Sequence, residues 1–225
     1  MKRYTQVERA TLWLLRDGEC TIGGHFDNAT PRFEAEIAPL YIGRTLITNR
    51  QYEEYAPNHR RCATSPDDED AVVGVTYDDA QDYCRWYAEL SGKAFRLATE
   101  VEWEYACRGG SEHQYPFGET SERADEFLWD LQNCDDRLPP LEAKQANGHG
   151  LYDMLGTAWE WTSTLYRPYP GAADDGRNDP TAEGARVIRG GSFRLDRDEM
   201  GCALRRSVDP QHSADDLGFR IVRSL

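Results

Sequence analysis

Cysteine is the most reactive residue type in this 225-residue chain. Its six cysteines form no Cys-x-x-Cys pair and no metal-ligand spacing, and its five histidines are scattered. The N-terminus carries charges throughout and has no apolar signal-peptide core, so we expect a cytoplasmic protein with reduced thiols.

A second chemically distinctive segment lies near the C-terminus. Residues 194–200 are dense in charge for their length. Such density is unusual in an enzyme pocket, whereas a recognition surface uses polar contacts of this kind around apolar anchors. A solvated loop would have the same composition, so both interpretations stay open. The charged side chains are Arg194, Asp196, Arg197, Asp198 and Glu199.

Composition excludes two classes of partner. The net charge of -14 argues against nucleic-acid binding, because neutralising phosphates requires clustered Lys and Arg. No apolar run approaches the roughly 18–20 residues of a membrane span, so we expect no membrane association. The length suits one domain with a substantial core, and we treat residues 1–225 as that domain.

Local patterns predict the elements that must position these residues. Apolar residues at the N-terminus predict a helix over residues 3–17. Thr48, Thr76 and Thr99 each stand three residues before an acidic or amide side chain. That is the capping-box spacing, so we expect a helix to begin after each threonine.

Strand signals are short and scattered. Residues 33–42 predict a strand that Pro39 places at a sheet edge or bulge, and the tail offers candidates at 186–189, 202–206 and 219–222. Periodicity fades after residue 111. The pattern therefore predicts an α+β domain that is rich in loops.

Seven segments stand in order along the chain: Ile47–Tyr52, Val75–Trp86, Arg96–Gly110, Pro116–Gly118, Asn147–Trp161, Arg189–Phe193 and Gly218–Arg220. From about residue 20 onward, they resemble one known family, the formylglycine-generating-enzyme or sulfatase-modifying-factor family. The resemblance implies a loop-rich α+β fold related to C-type lectins, with short antiparallel strands and few helices. In that fold the segment between Ser192 and Gly218 builds the ligand-facing surface.

The family's oxidases hold copper(I) with two cysteines that follow the Gly-Gly-Ser block, a soft metal with soft ligands. Here that stretch contains Cys202 alone, which aligns better with a structural cysteine. The resemblance implies that Cys202 contacts Cys107. We therefore expect no copper and assign no catalytic residue. The family's iron enzymes need a histidine cluster, largely from an added helical domain, which the scattered histidines do not supply.

The resemblance also implies a structural calcium site. Asp153 and Glu160 correspond to carboxylate ligands of the family's calcium loop, and Gly156 and Ala158 correspond to positions that supply backbone carbonyls. Oxygen ligands alone suit a hard cation such as Ca²⁺. A hydrogen-bonded turn without an ion is the alternative interpretation.

Two further positions line the substrate groove of the oxidases, Trp159 and Ser192. Together with the charged segment, they predict a non-catalytic module that binds a protein or small-molecule ligand through residues 192–216. This prediction includes retroelement-diversified variable proteins. The alternatives are a metal- or oxygen-dependent oxidase that acts without the cysteine pair, and a partner or sensor subunit that docks through the N-terminal helix.

Overall fold

Ten short strands and four α-helices make up the computed structural model over the residues that it describes, 10–172 and 174–225. Much of the remaining chain is loop, as the sequence predicts. The helices are α1 (Asn49–Tyr55), α2 (Tyr77–Ser91), α3 (Glu100–Arg108) and α4 (Ala124–Phe127). The strands are β1 (Leu12–Leu15), β2 (Gly18–Ile22), β3 (Phe33–Ile37), β4 (Leu40–Gly43), β5 (Phe95–Leu97), β6 (Trp159–Leu165), β7 (Arg186–Arg189), β8 (Arg205–Val208), β9 (Leu217–Gly218) and β10 (Ile221–Ser224).

The strands form two four-stranded sheets and one two-stranded ribbon. The first sheet has the order β1-β4-β10-β5 and is antiparallel, the second has the order β8-β7-β6-β9, and β2 pairs with β3. Only the short β6–β9 pairing is parallel among the described ladders. The last two strands therefore join different sheets, and the segment between them lies where the sheets meet.

The three predicted capping boxes are confirmed. The Thr48, Thr76 and Thr99 side chains each accept a hydrogen bond from the backbone N–H three residues on, and the side chain there accepts from the threonine N–H. Helices α2 and α3 then end at Gly92 and Gly109, which adopt left-handed backbone conformations.

The predicted N-terminal helix is wrong where the structure describes it. Residues 12–15 form β1, which pairs residue by residue with β4, and residues 3–9 lie outside the described range. The run Leu-Trp-Leu-Leu fits either a helix or a buried strand, and cross-strand pairing decides between them. The predicted strand 33–42 is divided into β3 and β4, with the break at Ala38 and Pro39.

The tail strands are largely as predicted. Strand β7 has the predicted bounds, and β8 begins three residues later than predicted. Of the third candidate, 219–222, only residues 221–222 are in a strand, β10, while β9 ends just before the candidate begins. None of the helices in the described part of the chain has the length and apolar character required to cross a bilayer.

A buried ionic network joins α3 to the second sheet. Glu104 forms ion pairs with Arg108 and Arg189, and Glu100 pairs with Arg205 through two hydrogen bonds of 3.0 Å. All five side chains are almost completely buried. Because such charges are stable in the interior only when paired, the network fixes the position of α3 against the strands that carry the candidate site.

Candidate recognition face and cation loop

Asp216 brings the two predicted groove residues together. Trp159 opens β6, and its backbone N–H donates to the Asp216 carbonyl at 2.8 Å. Ser192 follows β7 after Gly190 and Gly191, whose φ angles of 98° and 72° favour glycine. The Ser192 hydroxyl donates to the Asp216 carboxylate at 2.7 Å. The two residues therefore lie at one end of the second sheet.

The Trp159 ring is covered by another side chain of this chain. The guanidinium of Arg206, an exposed residue of β8, lies 4.6 Å from the ring centroid, and Trp159 is 4% exposed. This is the geometry of a cation–π pair. A ligand reaches the face of the indole only if Arg206 moves aside.

Arg194 is anchored at the same end of the sheet. Its guanidinium pairs with Asp215 through two hydrogen bonds, lies 3.2 Å from Asp136, and sits over the Phe193 ring at 5.0 Å. Hydrogen bonding to Asp215 raises the pKa of Arg194, and the same contact lowers the pKa of Asp215. Arg194 keeps a side-chain exposure of 34%, so it remains reachable from solvent.

Two members of the charged segment shape a turn. Residues 197–199 form a 3-10 helix, and the Asp196 carboxylate accepts from the Asp198 N–H at 3.0 Å. The Glu199 carboxylate accepts from the Asp196 N–H at 3.1 Å. Asp196 and Glu199 therefore cap the turn, which is a structural use of their charge.

The other two members dock this turn on residues 121–136. Arg197 pairs with Asp125 and with the fully buried Asp130, while the Asp198 carboxylate accepts from the Ser121 hydroxyl at 2.7 Å. The Leu131 N–H also donates to the Leu195 carbonyl. The charged segment is thus not a free loop but a turn docked on residues 121–136.

We define the recognition face as Trp159, residues 192–216 and residues 130–136. The structure places Trp159, Ser192 and Arg194 together around Asp215 and Asp216. Sequence reasoning missed those two aspartates as well as Arg206. The position of both aspartates directly before the Gly218–Arg220 segment was the available signal.

In the cation loop, residues 153–160, Asp153 is held in a left-handed conformation with φ 59°. One carboxylate oxygen, Oδ2, accepts from the Glu142 N–H at 2.9 Å. The other, Oδ1, is buried and has no hydrogen-bond partner among the described residues. Burial raises the pKa of Asp153 to about 6. An unpaired buried carboxylate oxygen is costly unless a cation or water occupies the adjacent space.

Glu160 is also buried, but its oxygens are partly used. Oε2 accepts from Trp103 Nε1 at 3.0 Å and Arg220 Nε at 2.7 Å, and Oε1 accepts from Arg220 Nη2 at 2.8 Å. A carboxylate oxygen has two lone pairs, so Oε1 retains capacity for one further ligand. One oxygen of Asp153 and one of Glu160 thus keep a lone pair that a cation could use.

The loop geometry depends on Gly156. Its φ is 82°, and a Cβ atom there would lie 1.9 Å from the Trp129 carbonyl oxygen. No group of three His, Cys, Asp or Glu side chains suited to a metal occurs in the described part of the chain. An ion at this loop would therefore take about half of its protein ligands from the carbonyls of Gly156 and Ala158.

The implied contact between Cys107 and Cys202 is present. Both thiols are free and buried, and their sulfur atoms lie 3.5 Å apart. Burial is the main reason that the pKa of Cys107 is raised. Cys202 therefore faces the core, although it lies within the segment 192–216.

Comparison with known proteins decides which family the chain belongs to. Residues 1–225 match the family described as the sulfatase-modifying factor enzyme 1-like domain. The chain belongs to this family. The α+β fold of the formylglycine-generating enzymes, predicted from the seven segments, is confirmed with it.

Two relatives show the range within the family. This sulfatase-modifying-factor member is 34% identical over 165 residues to the formylglycine-generating enzyme of Bos taurus, covering 66% of this chain and 42% of the relative. It is 32% identical over 169 residues to a Mus musculus protein named inactive C-alpha-formylglycine-generating enzyme 2, covering 68% and 49%. The chain thus spans about half or less of the relatives it matches.

A solved structure supports the fold of this family member. Treponema denticola variable protein 1 superposes with a TM-score of 0.84, covering 96% of this chain and 95% of that one. The sequence identity is 21%, so the likeness concerns the fold alone.

Proposed function

We propose that this chain is a non-catalytic binding module that contacts a protein or small-molecule ligand through the recognition face. One observation carries the proposal: two arginines of the predicted ligand segment are held in place by ion pairs within the chain. Arg194 is held by Asp215 and Asp136, and Arg197 by Asp125 and Asp130. A surface ordered in advance loses less conformational entropy on binding.

The chemistry at the end of β7 supports binding over copper catalysis. Copper(I) needs soft ligands such as a pair of thiolates. Residues 194–200 contain no cysteine, and Cys202 lies in the core against Cys107. Loss of the thiolate pair at these positions removes the family's copper ligands from the face.

The alternative is an oxidase that acts without the pair, which the 34% identity to a formylglycine-generating enzyme favours. Aerobic incubation with copper or iron salts separates the two functions. Metal analysis and an oxygen electrode are expected to show neither stoichiometric metal nor oxygen uptake. Stoichiometric copper or iron together with oxygen consumption would overturn the binding proposal.

The binding proposal itself is tested with random 12-residue peptides displayed on phage and selected on the immobilised protein. Arg206→Ala, which uncovers Trp159, is expected to lower the Kd of a selected peptide by about tenfold, or ~1.4 kcal/mol. Arg85→Ala removes an exposed arginine on α2 and serves as the matched control. Failure to select any peptide, or equal effects of both substitutions, would contradict the proposal.

The proposal includes the possibility that the module is a variable protein diversified by a retroelement, because its fold resembles that of a variable protein. Genome sequence around the gene tests it. We expect a reverse transcriptase gene and a near-copy of the DNA encoding the recognition face that differs at adenines. Absence of both would rule out diversification and leave the binding module.

A structural calcium ion at the cation loop accompanies the proposed function. Asp153 and Glu160 would supply carboxylate oxygens, and Gly156 and Ala158 backbone carbonyls. The unpartnered Asp153 Oδ1 supports the site. The ion would hold β6 and Trp159 in place and take no part in a reaction.

A further inference from the structure

We infer that Arg220 and Trp103 are positioning residues for the cation loop, which hold Glu160 so that only Oε1 is offered to an ion. This inference rests on the calcium site proposed above. It concerns residues outside the expected ligand set, from the tail and from α3.

Three hydrogen bonds fix that carboxylate. Arg220 donates to both oxygens, and Trp103 Nε1 donates to Oε2. The bonds to Arg220 and Trp103 use both lone pairs of Oε2, so that oxygen is saturated. Glu160 can therefore bind an ion through Oε1 alone. Both partners are themselves buried, which leaves them little freedom to reorient.

The same guanidinium holds the other side of the loop. Arg220 Nη2 lies 3.2 Å from the Tyr152 carbonyl oxygen and 3.4 Å from that of Asp153, while Nη1 donates to the Gly43 carbonyl at 3.0 Å. One side chain thus contacts the carboxylate of Glu160 and the main chain of Asp153. Its charge also offsets the repulsion between two buried carboxylates when no ion is bound. The loop consequently keeps its ligand geometry in the ion-free protein.

Partners of this kind in metal sites orient the ligands, and their loss typically costs about 10–100-fold in metal affinity. We expect Arg220→Lys to weaken Ca²⁺ binding within that range, because lysine lacks the planar fork that holds both Glu160 oxygens in a fixed orientation. Trp103→Phe removes one hydrogen bond and keeps an aromatic ring, so we expect a smaller loss in the same direction.

The experiment is calorimetric titration of the calcium-stripped full chain with CaCl₂, with melting curves in EGTA and in calcium. Trp161→Phe is the matched control for Trp103→Phe, since Trp161 Nε1 donates to the Val75 carbonyl at 3.0 Å in an equally buried site. Arg205→Lys is the matched control for Arg220→Lys, since Arg205 makes the same two-bond contact with Glu100. The controls are expected to melt earlier in EGTA but to keep the wild-type affinity.

The outcomes separate the two proposals. If the wild-type chain binds no calcium, both the site and the positioning roles are overturned. If it binds calcium and Trp103→Phe and Arg220→Lys match their controls in affinity, the site stands and the positioning roles fall. Higher affinity in Arg220→Lys would show that Arg220 competes with the ion, which also overturns the inference. Should Arg220→Lys fail to fold, Trp103→Phe against Trp161→Phe decides alone.

Discussion

Replacing Glu104 by glutamine tests whether the buried ionic network holds the fold. The Glu104 carboxylate accepts from Arg108 Nη2 at 2.6 Å and from the Gly23 N–H at 2.9 Å, and its second oxygen pairs with Arg189. Glu104 and Arg189 are completely buried. The substitution Glu104→Gln preserves shape, but it removes the negative charge that two buried guanidinium groups share.

The expected cost follows from that burial. Removing one partner of a buried ion pair typically costs about 3–5 kcal/mol, because an uncompensated charge remains. In a domain of this size each kcal/mol lowers the melting temperature by roughly 2–4 °C, so we expect a decrease of about 6–20 °C. The loss should persist at high salt, since mobile ions do not reach the pair.

Calorimetry and urea unfolding measure the effect. Glu126→Gln is the control, because Glu126 forms an exposed ion pair with Arg123 and such pairs contribute little. Restoring much of the loss with a second change, Arg189→Met, would assign it to the stranded charge. If Glu104→Gln melts within about 2 °C of Glu126→Gln, the reasoning about buried charge is refuted.

Three further predictions concern separate parts of the chain. Cys107 and Cys202 should resist a neutral alkylating reagent at pH 8 until the protein unfolds, because both are buried and the pKa of Cys107 is raised. Mass spectrometry after labelling of the native protein measures whether either thiol is alkylated. Gly156→Ala should prevent folding or lower the melting temperature sharply, since the added Cβ would collide with the Trp129 carbonyl. Circular dichroism of the variant measures its folded content and its melting temperature. Thr99→Ala should cost about 1 kcal/mol in urea unfolding through loss of the α3 cap, and an unchanged midpoint would contradict the capping assignment.

Local signals in the sequence were sufficient for several elements. The capping boxes at Thr48, Thr76 and Thr99 depend on residues three apart, so helix starts could be predicted without knowledge of the fold. The N-terminal run could not be assigned in this way. Its strand geometry depends on β4, a partner distant in sequence, and the run itself has no pattern that separates helix from strand.

The candidate site shows the same division. The density of charge in residues 194–199 was visible, but the pairing of Arg197 with Asp125 and Asp130 was not. Residues 121–136 have no regular period, so nothing in the sequence placed them beside the charged segment. Arg206 likewise lies over the Trp159 ring because of the register of β8 against β7 and of β7 against β6, which the sequence alone does not give.

Strand β10 lies between β4 and β5 in the first sheet, although it comes last in chain order. During synthesis on the ribosome, β4 and β5 emerge long before the strand that must separate them. They cannot assemble their sheet until residues 221–224 are free, and their unpaired edges remain open to other chains meanwhile. A fold that depends on so late and distant a pairing should form slowly and benefit from chaperones during translation.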